Sequence, residues 1–142
     1  MNVLIVEDIE ENRIILARFL TSYAQCDMAK NGQEAVHLFE TALRNGSPYD
    51  LVLLDIVMPV MDGQAALKQM RAMEQEFRNP HDPETVILMT TSVDAQSEIV
   101  EALEQGHCTD YLNKPISRAK LLVKLSELKL IPQDWWKQDL KK

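Results

Sequence analysis

The sequence predicts an α/β protein, a doubly wound five-stranded parallel sheet flanked by five helices. Three observations carry this. Short apolar runs alternate with stretches of helical length and spacing. The strongest runs are continuously apolar rather than alternating, as strands covered on both faces are. Parallel strands need crossover connections, and crossover helices supply the two covering layers.

The elements follow in order. Val3-Leu4-Ile5-Val6 reads as the first buried strand. Glu10 to Tyr23 places Ile14, Ile15, Phe19 and Leu20 at helical spacing. Gln25 to Ala29 is short and ambiguous between strand and loop. Asn31-Gly32 signals a turn, and Gln33 to Leu43 is helical until Asn45-Gly46-Ser47-Pro48 ends it. Leu51-Val52-Leu53-Leu54 is the next strand. Pro59 and Asp62-Gly63 punctuate a loop before a helix from Gln64 to Phe77. Val86-Ile87-Leu88-Met89 is a third strong strand, and Ala95 to Gln105 a helix closed by Gly106. Tyr111-Leu112-Asn113 is a short strand before Pro115. Ser117 to Leu128 is the last core helix, with Ser117 as its N-cap. Residues 1–128 thus form one domain, and 129–142, with Trp135-Trp136, a tail. The tail is either a short helix or a frayed end, and its tryptophans either fold back or meet a partner.

Composition narrows the function. The chain has 142 residues, 46% hydrophobic and 26% charged, which excludes disorder. A net charge of −7 argues against a nucleic-acid surface, because phosphate backbones select basic patches. No apolar run approaches the ~20 residues of a membrane span. The start lacks the positive region of a signal peptide. Two cysteines, Cys26 and Cys108, make no disulfide framework. The expectation is a cytoplasmic protein with no nucleic-acid or membrane partner. The cysteines read as small hydrophobes, and His37, His81 and His107 have no ligand spacing.

In open parallel sheets, ligands bind beyond the carboxyl ends of the strands. Those positions hold Glu7-Asp8, then Asp55, then Thr90-Thr91-Ser92, then Lys114-Pro115. Three carboxylates gathered at one edge repel, and either protonation or a cation relieves them. Hard oxygen ligands suit Mg2+, which keeps open positions for a phosphate oxygen. Lys114 supplies a point charge and Thr91 a hydroxyl for further oxygens. One carboxylate then acts as nucleophile, with Asp55 the first candidate. Each residue taken alone has a plainer reading: a solvated strand end, a turn cap, a surface lysine, a core hydroxyl.

The combination Val3-Leu4-Ile5-Val6-Glu7-Asp8, Leu53-Leu54-Asp55-Ile56-Val57-Met58-Pro59, Met61-Asp62-Gly63, Met89-Thr90-Thr91-Ser92 and Tyr111-Leu112-Asn113-Lys114-Pro115 resembles the receiver domain of two-component response regulators, from Asn2 to about Leu128. The resemblance implies the flavodoxin-like receiver fold. It implies Asp55 as phosphoacceptor, and Mg2+ held by Glu7, Asp8, Asp55 and the backbone carbonyl of Val57. It further implies Lys114 as the phosphoryl-binding lysine, Thr91 and Tyr111 as the switch pair, and Pro59 and Pro115 as structural, with a cis Lys114–Pro115 bond. The implied donor is a sensor histidine kinase or phosphotransfer protein. The implied output is a downstream protein bound through the fourth helix, fifth strand and fifth helix. Such a domain is a phosphoacceptor rather than an enzyme on outside substrates. The loop from Gly106 to Asp110 is one residue longer than usual in the family.

Two other readings compete. A Mg2+-dependent phosphohydrolase with an aspartyl nucleophile usually has a second Asp two residues on, where Val57 stands here. A flavin binder needs a hydroxyl- or glycine-rich loop after the first strand, where Glu7-Asp8-Ile9-Glu10-Glu11 repels phosphate.

Overall fold

The computed structural model describes residues 1–56, 58, 60–92, 96–105 and 107–140. Val57, Pro59 and Gly106 lie outside the described residues. Strands β1 (Asn2–Val6), β2 (Gln25–Ala29), β3 (Leu51–Asp55), β4 (Val86–Thr91) and β5 (Asp110–Asn113) alternate with helices α1 (Glu10–Phe19), α2 (Gly32–Arg44), α3 (Gly63–Phe77), α4 (Gln96–Glu104) and α5 (Arg118–Glu127). All pairings are parallel, in the order β2-β1-β3-β4-β5. The order reverses beside β1 and β3, so the loops after these strands diverge and open a crevice there.

Alternation along the strands divides the core into two layers. Leu4, Val6, Val52, Leu54, Ile87 and Met89 pack with α2 and α3 residues such as Phe39, Leu67 and Met70. Val3, Ile5, Leu51, Leu53 and Leu88 pack with Leu16 and Leu20 beside α1 and with Leu121, Leu122 and Leu125 of α5. Three helix starts are capped as their residue types dictate. Asn31, Asp62 and Ser117 each accept a bond from the amide three residues on.

One boundary differs from the sequence expectation, and two segments left open there take definite form. The segment 25–29 is a strand, edge-paired with β1 and mostly exposed. Helix α1 stops at Phe19, four residues short of Tyr23, and the amides of Tyr23 and Ala24 turn back onto the Leu20 carbonyl. The tail carries a short helix, α6 (Trp136–Leu140). Ile131 is buried and Trp135 packs on the α1–α5 layer, whereas Trp136 is exposed. Among the described residues no helix is long and apolar enough to cross a membrane.

Candidate functional site

The carboxyl ends of β1, β3, β4 and β5 meet at a cleft of about 240 Å3. Glu7, Asp8, Asp55, Thr90, Thr91, Ser92 and Lys114 line it, together with Ile9 and Ile56. One carboxylate oxygen from each of Glu7, Asp8 and Asp55 lies within 4.8 Å of the others. Glu7 and Asp55 are buried, and Asp8 is exposed.

Lys114 holds the cluster together. Its Nζ donates to Asp55 Oδ2 at 3.0 Å and to Glu7 Oε2 at 3.3 Å. Its own backbone is fixed by a bond from its amide to the Thr91 carbonyl, and the following peptide bond to Pro115 is cis. Burial pulls the ammonium's pKa down, but the hydrogen bond and charge of Asp55, with those of Glu7, outweigh it and leave it raised. Asp8 is also raised, first by desolvation and then by the hydrogen bond and charge of Glu7. A single ammonium therefore leaves residual repulsion among three carboxylates. Clustered hard oxygens with one exposed face fit a divalent ion that retains water.

Residues that sequence reasoning passed over shape the acidic end. Asn12 of α1 donates to Glu7 Oε1 at 3.4 Å, and Arg13 to the Glu7 carbonyl at 2.7 Å. Their signal was their place on the first turns of α1, just past the acidic pair. Thr90 also lines the cleft and pairs in register with Asp55. The Thr91 hydroxyl donates to the Ser92 carbonyl at 2.9 Å in this structure. Tyr111 is not in the acidic cleft. It borders a separate hollow with Asn113, Lys120 and Lys124. It pairs with Met89, however, so it shares a sheet face with Thr91 two residues on. Pro115 lines a larger, apolar-walled hollow next to the cleft, shared with Ile15, Leu16 and Ile116.

A parallel sheet with an acidic triad and a bridging lysine at its carboxyl edge is the arrangement that the sequence resemblance implies for a receiver domain. A family model described as the response regulator receiver domain matches residues 3–126. The two-component response regulator ORR41 of Oryza sativa subsp. japonica is 35% identical over 133 residues, covering 92% of this chain and 95% of that protein. The receiver domain of Ssk1 from Saccharomyces cerevisiae, solved with the histidine phosphotransfer signalling protein Ypd1, superposes with a TM-score of 0.76 at 33% identity. That likeness covers 93% of this chain and 92% of that one. The receiver domain of the Pseudomonas aeruginosa sensor histidine kinase PA1611, solved with a magnesium ion in its active site cleft, superposes with a TM-score of 0.70 at 30% identity, covering 89% and 94%. This chain belongs to the response regulator receiver family and is a receiver domain of two-component signalling.

Proposed function

We propose that Asp55 accepts a phosphoryl group from a phosphohistidine of a sensor histidine kinase or phosphotransfer protein. The observation that carries this is the Lys114 ammonium bridging Asp55 and Glu7 in an acidic cleft that opens to solvent at Asp8. An Asp55 carboxylate oxygen attacks phosphorus in line. The bond from phosphorus to the imidazole nitrogen breaks, the imidazole leaves with that electron pair, and an acyl phosphate forms. Glu7, Asp8 and Asp55, with the Val57 carbonyl, would hold Mg2+, which would supply neutralising charge to the phosphoryl oxygens. Lys114 takes another of those oxygens and so shifts its pairing from carboxylate to phosphoryl group.

Thr91 then gives up its bond to Ser92 and turns its hydroxyl toward the phosphoryl group. The face-sharing Tyr111 follows, which changes the surface of α4, β5 and α5 that a downstream protein reads. Residues 1–128 make up the receiver unit in this reading, and Pro115 shapes the loop after β5. A domain of this kind assists its own phosphorylation and dephosphorylation and turns over no outside substrate. The test is incubation with acetyl phosphate and Mg2+, read by intact mass. The wild type gains one phosphoryl group and Asp55→Asn gains none. Full gain by the variant refutes the assignment.

A further inference from the structure

We propose that Gly32, on a helix that adds no group to the acidic cleft, is a positioning residue for phosphoryl transfer to Asp55. This rests on the reading of Asp55 above. Among the described residues, the connection from Asp55 to α3 holds Val60 in an unfavourable backbone conformation. Val60 within it has φ 71°, the left-handed region that a β-branched residue avoids. Its side chain is 77% exposed, so its own packing does not compensate. A conformation of this kind persists only where the surroundings over-determine it.

Three fastenings do so. Met58 is buried in the core. The Gly63 amide donates to the Ile56 carbonyl at 2.9 Å, and Gly63 abuts the Asp55 carbonyl so closely that no side chain fits between. The third comes from outside the connection and the helix it leads into. A methyl group on Gly32 would lie 2.5 Å from the Met61 carbonyl oxygen and 3.0 Å from Met61 Cβ and Cγ. The first turn of α2 therefore presses on the backbone of the connection itself.

Helix α2 cannot retreat to make room. Asn31 caps it through the Glu34 amide, and Ala35, Val36 and Phe39 anchor it in the core. A side chain at position 32 would instead displace Met61, and through the Gly63–Ile56 bond the shift would reach the Asp55 backbone. Gly32 touches no carboxylate, so the effect is on geometry and not on charge.

The experiment compares the wild-type chain, Gly32→Ala and Leu43→Ala, the last being a core truncation at the far end of the same helix. Three quantities are read: the melting-temperature shift on titrating Mg2+ without phosphodonor, the hydrogen exchange of the Gly63 amide, and the phosphoryl gain from acetyl phosphate at saturating Mg2+. Gly32→Ala is expected to raise the half-saturating Mg2+ concentration about tenfold, since small misplacements are costly at such sites. It should also speed Gly63 exchange and slow phosphoryl gain. Leu43→Ala should lower the melting temperature yet keep the wild-type half-saturation. Equal half-saturation in the two variants overturns the proposal while leaving Asp55 as acceptor. If Gly32→Ala does not fold, Met61→Gly removes the Cβ and Cγ side of the same contact while leaving the carbonyl, and unchanged Mg2+ dependence with unchanged Gly63 exchange in it overturns the proposal too. A wild type that gains no phosphoryl group refutes both readings.

Discussion

Lys114 shows how one side chain balances stability against readiness. It pairs with two buried carboxylates, each of which would be costly to bury alone. The same ammonium repels a divalent ion placed among those oxygens. Lys114→Met is therefore expected to be less stable than wild type without Mg2+, and to bind Mg2+ on the order of tenfold more tightly, ~1.4 kcal/mol. Melting temperatures across a Mg2+ titration check this. A variant with unchanged affinity would mean that the lysine and the ion do not compete. Val60 is the opposite case, a residue at odds with its own backbone. Left-handed geometry costs an L-residue roughly 1–2 kcal/mol, and Gly loses about 0.5–1 kcal/mol of that gain to unfolded-state freedom. Val60→Gly should stabilise the domain by about 0.5–1 kcal/mol in urea denaturation, and a loss of stability would show that the exposed Val60 side chain is held by something it touches. Nothing in the sequence around Val60 announces positive φ, because that depends on how α2 and α3 pin the connection.

At the scale of elements, the site was legible because every group in it ends or follows a strand. Strands are marked by continuous apolar runs, so the residues after them are found without knowing any contact. The edge strand β2 was ambiguous for the matching reason: only Ala29 of its five residues is buried, and its pairing with β1 carries the assignment. A buried polar network was also illegible. Arg71 and Glu74 look like a surface pair at helical spacing, yet Glu74 is only 3% exposed. Arg71 donates to Glu74 at 2.7 Å, to the Thr85 carbonyl at 2.9 Å and to the His107 carbonyl at 2.6 Å. Glu74 in turn accepts from the Thr85 amide at 2.7 Å. The network ties α3 to the start of β4 and to the loop before β5. Thr109 adds a two-way bond to Ile87, which helps hold Tyr111 in register opposite Met89. Arg71→Met strands a buried carboxylate and should cost about 3–5 kcal/mol. Adding Glu74→Gln removes that charge but keeps an acceptor for Thr85, and should recover about 1–2 kcal/mol of the loss. Urea denaturation of both variants decides it, and a cost below about 1 kcal/mol for the single variant would make the network incidental.

For the whole molecule the question is where the stable unit ends. The sequence pattern stops at Leu128, and the family model at residue 126. The packing does not stop there. Lys129, with φ 63°, turns the chain back after α5, and Leu130 and Ile131 then join the α1–α5 core, with Ile131 only 7% exposed. Beyond that the contacts thin out. Trp135 is half-buried and its carbonyl accepts a long 3.5 Å bond from the Tyr23 hydroxyl. Asp139 of α6 forms a two-pronged ion pair with Arg118, at 2.5 and 2.9 Å. Both partners are about one-third exposed, with side-chain values of 32% and 34%, so the pair contributes no more than about 1 kcal/mol. Against this stands the entropy of ordering each residue of α6, ~1–2 kcal/mol apiece. Burying the Ile131 side chain instead gains about 1.5–3 kcal/mol within an already ordered turn. A chain cut after Gln133 should therefore lose less than about 1 kcal/mol, and one cut after Leu128 about 2–3 kcal/mol. Both should still gain a phosphoryl group from acetyl phosphate, because no tail residue among those described lines the acidic cleft. Urea denaturation of the two truncations beside the full chain measures the step. Equal losses for the two cuts would move the weight from Ile131 to α6 and make the Arg118–Asp139 pair the true fastening of the tail.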